Sequence, residues 1–506
     1  MKKNQTVNLI GTVTLVTLFA KLLGIVRESL QARAFGTQAA ADLYTTANNA
    51  TIYLFTTVAY ALCVAAVPIL TPRLRRDRQE GFAAASNLIS VTVLLGALVS
   101  GVWIAATFTP WMDTMWDGTA QETAQLAGYM RIMALTLPVI LLTYLLVALF
   151  QSLEHFILQG SMSIPYNLAL IAFLALFAGR LGVGGYVAAV ALAWLLQLAM
   201  TFPYAHRERY RYRPTLNLRA DYVGSFLKTA LVTVLTTSIF LFCYLQDSAM
   251  TASLEGSPVS AFYYADKLFT PLTTTLIYSI STVLFPKFSH QYASGGKEAY
   301  LGYIWNVLRT TLVLVLPVSA LLAAFGTPIV QVLFQGGNFG ADSTAATGAI
   351  FTIYALSMAG FCALDLLSKA YYTMERTLEP LLVNAGILGC NWVLNRLLGP
   401  RWGGAGLAAA TAVSITLGGV VMACLLLGRV KGLGSLVKSV IAALLTGGAL
   451  YAVTGLVLTG LEGKALLVVK CVGLGAAAMA VYALALACLR QEDLLLFLKR
   501  KKRPKE

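Results

Sequence analysis

Runs of mostly apolar residues, each long enough to cross a lipid bilayer, recur along this chain from one end to the other. A helix needs about 20 such residues to span a hydrocarbon layer of roughly 30 Å. Within that layer a backbone satisfies its own hydrogen bonds only as a helix or a closed barrel. Of the 506 residues 58% are hydrophobic and 12% charged, against about 25% charged in a soluble domain, which excludes a soluble enzyme. The 42 glycines and 15 prolines are too few and too aperiodic for a collagen-like or low-complexity chain. What remains is an all-α polytopic membrane protein.

Apolar runs between polar breaks predict fourteen transmembrane helices, at 7–34, 41–70, 82–108, 124–152, 160–180, 184–205, 221–246, 258–286, 301–334, 343–373, 378–398, 403–428, 434–460 and 464–490. Alternation from a cytoplasmic N-terminus puts the loop cations inside except Arg180, Arg396, Arg401 and Lys464, as the positive-inside rule expects. Asp113, Asp117, Glu122, Asp247, Glu255 and Asp342 then fall in outer loops. One missed helix would swap the side of every later loop, so the asymmetry supports both the count and cytoplasmic termini. The first run carries Lys21, Arg27 and Glu28 and is too long for a signal peptide, so it reads as a retained helix.

The basic loop from His206 to Arg219 divides the first twelve spans into two sets of six that enter the membrane in the same sense. That is the layout of a pseudo-twofold parallel repeat. It gives an N-lobe at 1–219, a C-lobe at 220–432, two added helices at 433–490 as a groove for a lipid tail, and a basic cytoplasmic tail at 491–506. The tail's cations suit anionic lipid, and the net charge of +15 reads as topology rather than nucleic-acid binding. Seven dispersed cysteines without a C-x-x-C pair, and three scattered histidines, offer no metal cluster.

Polar residues form stripes in two predicted spans. In the second, Asp42, Thr45, Thr46, Asn49, Tyr53, Thr56, Thr57 and Tyr60 recur at intervals of three and four, which places them on one helical face. The eighth repeats this with Ser260, Tyr263, Tyr264, Lys267, Thr270, Thr274, Tyr278 and Ser281. Such faces serve either interhelical hydrogen bonding or the lining of a wet cavity. Charge at bilayer depth costs about 2.5–3.5 kcal/mol per residue unless it meets a cavity or partner, which draws attention to Lys21, Arg27 and Glu28, to Asp266 and Lys267, and to Asp365 and Lys369. Lys21, Arg27 and Lys267 beside neutral hydroxyls suit a phosphate or pyrophosphate group. Arg33, Lys228 and Lys369 are expected to snorkel to an interface. Pro138, Pro271 and Pro317 are candidate bend points.

The segment Lys21-Leu22-Leu23-Gly24-Ile25-Val26-Arg27-Glu28, followed by Ala32-Arg33-Ala34-Phe35-Gly36 and Ala41-Asp42, resembles the opening of the MurJ (MviN) lipid II flippase family. Tyr263-Tyr264-Ala265-Asp266-Lys267-Leu268 resembles that family's eighth-helix motif. The family belongs to the multidrug/oligosaccharidyl-lipid/polysaccharide exporter superfamily, which includes the MATE transporters. The resemblance implies a flippase in the bacterial inner membrane that moves the undecaprenyl-pyrophosphate-linked peptidoglycan precursor to the outer leaflet by alternating access. It also implies that Lys21, Arg27, Glu28, Asp42 and Lys267 serve the head group, and the stripes add Asn49, Tyr263, Tyr264 and Asp266 to the substrate-binding set. Lysine stands at 21 and 267 where the best-known members have arginine, and the arginine pair of many members' second helix is absent from Ile52-Tyr53-Leu54-Phe55-Thr56. Apart from Asp221 at its first position, no acid falls within the seventh predicted span, where some members bind sodium, so a coupling ion or the membrane potential stays unassigned.

The alternatives are a flippase for another lipid-linked oligosaccharide and a MATE-type multidrug antiporter. The antiporter should line its cavity with acids and aromatics, whereas here the cavity cations are basic. A membrane enzyme would need catalytic carboxylates in a sizeable extramembrane loop, and the loop with Asp113 and Asp117 is too short. A monomer with no bound cofactor is expected, in contact with membrane lipids and the cell-wall synthesis machinery.

Overall fold

The computed structural model describes residues 3–116, 118–237, 239–252, 254, 259–374, 376–428, 433–457 and 463–488. The basic tail, Asp117, Glu255, Arg429 and Lys431 lie outside them. Every regular element among the described residues is helical. In chain order they are α1 (Lys3–Phe35), α2 (Ala39–Asn48), a π-helical segment (Asn49–Tyr53), α3 (Leu54–Arg76), α4 (Arg78–Ala106), α5 (Trp111–Met115), α6 (Ala120–Ala134), α7 (Leu137–Ser152), α8 (Phe156–Ser161), α9 (Ser163–Leu176) and α10 (Ala178–Ala199). There follow α11 (Phe202–Arg207), α12 (Asp221–Thr237), α13 (Ile239–Thr251), α14 (Val259–Ala324), α15 (Gly326–Leu333), α16 (Ala341–Leu356), α17 (Met358–Thr373), α18 (Leu378–Leu427), α19 (Leu433–Val457) and α20 (Lys464–Cys488).

Nine helices among the described residues are long and apolar enough to cross a membrane, and the pair α16 and α17, bent by 42°, makes a tenth as one broken span. Outward faces carry leucines and valines open to their surroundings, among them Val102 at 70%, Leu456 at 80% and Val472 at 67% exposure. In water such faces would aggregate; in lipid they are solvated. The chain is therefore a multi-pass membrane protein.

Helix ends follow local chemistry. Thr119 and Glu122 form a reciprocal capping box on α6, and Asp77 accepts the Gln79 N–H at 2.8 Å to start α4. Pro138 stands in the first turn of α7, where a missing N–H costs nothing, so it marks the break between α6 and α7. Within α18, Gly403 takes φ 54°, a conformation that side chains resist, and the helix changes direction there.

The helices cluster in two compact units. The first comprises 3–241 with Val259, Ser260 and Gly336–Phe339. Its core runs through Tyr44, Phe55, Leu88, Met130, Phe150, Leu170, Tyr186 and Phe226, with α3 against α4, α7 and α12, and α9 against α1 and α10. The seventh predicted span thus begins, as α12, inside this unit. The turn Gly336–Phe339 finishes α1: the Asn338 N–H donates to the Arg33 carbonyl at 2.8 Å and Asn338 Nδ2 to the Ala34 carbonyl at 2.6 Å, supplying donors to last-turn carbonyls that a helix leaves open.

The second unit comprises 242–254, Ala261–Gln335 and 340–488. Here α17 packs on α18 so closely that a Cβ at Gly360 would lie 2.7 Å from Thr416, the small-residue contact that lets membrane helices approach. Val313, Ala442, Ala443, Tyr482 and Leu486 join α14, α19 and α20.

Candidate functional site

In the first unit, α1 carries Lys21 on an exposed position and, two turns on, Arg27 and Glu28. The Arg27 guanidinium pairs with the neighbouring Glu28 carboxylate, with side-chain exposures of 13% and 4%, and lies over the Tyr166 ring of α9 at 5.3 Å. Packing of α1 on α9 produces this: Asn167 Nδ2 donates to the Ala20 carbonyl at 3.4 Å, about two turns before Arg27. An arginine held by a carboxylate on one side and a π face on the other is fixed in orientation.

Asp42 is engaged structurally. Its Oδ1 accepts the Ser260 N–H at 2.8 Å and the Ser260 hydroxyl at 2.5 Å, at the start of α14, where a negative charge suits the helix dipole. The second-span stripe divides. Thr45, Thr46 and Asn49 are buried, whereas Tyr53, Thr56 and Thr57 are half-buried and Tyr60 is 50% exposed. The π-helical segment Asn49–Tyr53 sits at the division. Its wider turn shifts the register, so residues after it leave the face that strict 3.6-residue spacing assigns.

In the second unit, Lys267 lies 3.5 Å from Asp266 and over the Tyr263 ring at 5.0 Å. Asp266, 1% exposed, also accepts the Thr270 hydroxyl at 2.6 Å. Tyr264 is buried and packs on Phe334 at 5.3 Å between ring centres, so it is core here. Both units therefore hold a half-buried cation beside an adjacent acid and a tyrosine ring. Lys369, expected to snorkel, instead pairs with Asp365 at 3.0 Å, one turn away on α17, and donates to the Ser281 hydroxyl. A partner within reach is better for a desolvated ammonium than a stretched path to the interface.

A further cluster escapes sequence reading. Asp247, placed by the sequence in an outer loop, is fully buried within α13, because helix continues five residues past the predicted boundary of 246. The run Leu245-Gln246-Asp247-Ser248 looks like a polar exit until its partners are known. The Asp247 carboxylate accepts from Thr411 Oγ1 at 2.6 Å, Asn395 Nδ2 at 2.8 Å, Asn391 Nδ2 at 3.3 Å and Tyr354 Oη at 3.4 Å. Asn391 and Asn395 stand one turn apart on α18, the only signal available beforehand. The Asn395 Oδ1 is buried without a hydrogen-bond partner. One carboxylate, a hydroxyl and two carboxamides gather here, with the amide N–H groups and the hydroxyl donating to the carboxylate. Among the described residues no group of His, Cys, Asp and Glu could hold a metal ion.

Apolar helices long enough to cross a membrane, with charged pairs buried among them, define a polytopic membrane protein. The chain belongs to the MurJ family of lipid II flippases: the family model "Lipid II flippase MurJ" matches residues 31–474. Among similar proteins, a probable lipid II flippase MurJ of Rhizobium meliloti is 25% identical over 504 residues, covering 93% of this chain and 92% of the relative. A solved structure of lipid II flippase MurJ in an inward closed conformation superposes with a TM-score of 0.78 at 18% identity, covering 96% of this chain and 99% of that one. An inward-facing MATE family multidrug transporter of the MOP superfamily superposes at 0.66 with 12% identity, over 85% and 94% of the two chains. The fold is thus the MurJ and MATE fold.

Proposed function

We propose that this protein flips lipid II, the polyprenyl-pyrophosphate-linked cell-wall precursor, from the inner to the outer leaflet of a bacterial cytoplasmic membrane. The observation that carries this reading is Arg27, largely buried, oriented by Glu28 and Tyr166. A guanidinium fork matches phosphate oxygens bidentately, and a charged sugar head cannot cross hydrocarbon unaided. Lys21 and Arg27 of the first unit bind the pyrophosphate, Lys267 of the second unit is a cation of the same kind within its own unit, and access alternates between the membrane faces. The chain crosses fourteen times in a six-plus-six repeat with two added helices and has both termini inside, and α19 and α20 receive the lipid tail.

A coupling sodium ion would be held by Asp247, Thr411 and the side-chain oxygens of Asn391 and Asn395. When bound, it supplies the driving force of a cation moving toward a negative interior, about 2.3 kcal/mol per 100 mV. The two amide groups donate to the carboxylate, so holding a cation there would require Asn391 and Asn395 to turn their oxygens inward.

The test is complementation of a strain depleted of its own lipid II flippase, with native protein, Arg27→Ala and Lys267→Ala at equal membrane abundance. Growth with the native protein and lysis with both variants is expected. Lysis with the native protein favours a second reading, a flippase for another lipid-linked oligosaccharide, to which the lysines at 21 and 267 and the missing arginine pair point. Growth with both variants overturns the head-group assignment.

A further inference from the structure

The segment between α11 and α12 forms an extended strap laid along the start of α4. Ser86 of α4 meets the Tyr210 hydroxyl at 3.0 Å and accepts the Arg213 N–H at 3.4 Å. Ser90 meets the Tyr212 hydroxyl at 2.8 Å and accepts the Thr215 N–H at 3.3 Å. Asn87 accepts the Asn217 N–H at 2.7 Å and donates to its carbonyl at 3.0 Å. The lipid-facing leucines of α4 begin at Leu94, one turn past Ser90, so the strap lies at the edge of the hydrocarbon.

Two populations of arginine meet there. Arg73, Arg75 and Arg78 are paired with Asp221, Glu154 and Glu208, and Glu208 is further held by His155 at 2.6 Å. Arg207, Arg209, Arg211, Arg213 and Arg219 are exposed, and none of them has an ion-pair partner among the described residues. Between them Tyr212, Leu216 and Leu218 are 48%, 55% and 62% exposed. Like charges crowded on a pinned segment repel one another unless an anion is supplied, and apolar side chains beside them favour an anion that carries hydrocarbon.

We propose that this strap is a binding surface for anionic phospholipid of the surrounding bilayer, with Arg211, Arg213 and Arg219 holding the phosphate group and Leu216 and Leu218 entering the acyl boundary. Cations near an anionic leaflet are attracted within a Debye length, and Tyr212 has the ring-and-hydroxyl character of interfacial anchors. None of these residues belongs to the head-group set of α1 and α14, so the proposal stands whether or not the flippase reading holds.

The experiment measures thermal unfolding of the purified full chain in neutral detergent with added phosphatidylglycerol, phosphatidylcholine or inorganic phosphate. Phosphatidylglycerol is expected to raise the midpoint above the other two, and the gain should shrink in high salt. The triple variant R211Q/R213Q/R219Q should lose that gain, whereas R180Q/R396Q/R401Q, with the same loss of charge elsewhere, should keep it. L216S/L218S should weaken it at unchanged charge. An undiminished gain in R211Q/R213Q/R219Q, an equal gain from inorganic phosphate, or no gain in the native protein overturns the proposal.

Discussion

Arg27 and Glu28 show why a buried pair has to be tested as a pair. Removing the guanidinium alone deprives a 3% exposed carboxylate of a charged partner, and breaking such a pair costs about 3–5 kcal/mol. Arg27→Ala is therefore expected to lower both the thermal midpoint and transport, while Arg27→Gln with Glu28→Gln recovers most of the stability and none of the transport, as a melting curve beside a flipping assay would reveal. Asp42 behaves differently. Its two bonds to Ser260 predict that Asp42→Asn loses about 1.5–3 kcal/mol of stability, the range for hydrogen bonds to a charged group, with substrate affinity unchanged in a direct binding measurement. In the loop network, burial opposes ionisation of Glu208, but the bond to His155 and the charges of His155 and Arg78 overcome it and hold this carboxyl below its ordinary value. A depressed carboxyl stabilises the fold fully above its unfolded value of about 4.3 and loses that contribution as pH falls through the lower folded value. The midpoint difference between native protein and Glu208→Gln should accordingly shrink as pH falls below about 4.3 and vanish at strongly acid pH.

Among the elements, the π-helical segment has the largest effect on the candidate site. A single extra residue in the turn rotates everything after it by about 100° relative to a continuous α-helix, which separates Thr56, Thr57 and Tyr60 from the buried Thr45, Thr46 and Asn49. Deleting Ala50 should restore the regular register and abolish transport in a vesicle assay while the helix content by circular dichroism stays level. The turn on α1 is equally exacting. A Cβ at Gly337 would lie 2.4 Å from the Arg33 carbonyl oxygen, with φ at 57°, whereas at Gly182, also at φ 57°, nothing lies within 4 Å. Gly182→Ala should then cost only the left-handed penalty of about 1–2 kcal/mol, and Gly337→Ala visibly more in the same unfolding measurement.

For the molecule as a whole, coupling is the decisive question. Asp247→Asn removes the one carboxylate of the buried polar cluster, and relative to the native protein it should remove the sodium dependence of head-group movement in proteoliposomes. Loss of transport at every sodium concentration would instead mark Asp247 as a purely structural acceptor.

Composition and spacing alone made this a helical membrane protein and picked out Arg27, Glu28, Asp266 and Lys267 as buried charges, because apolar length and the cost of desolvating an ion are properties of the residues themselves. The family, too, was readable in the motifs at 21–28 and 263–268. Packing decided what no window of sequence contains: that Asp247 lies inside a helix, that Lys369 has Asp365 and Ser281 beside it, and that half of a polar stripe is closed. A polar residue at a helix end reads the same whether it faces water or a partner brought from 164 positions away, as Thr411 is brought to Asp247, and only the tertiary contact makes the difference.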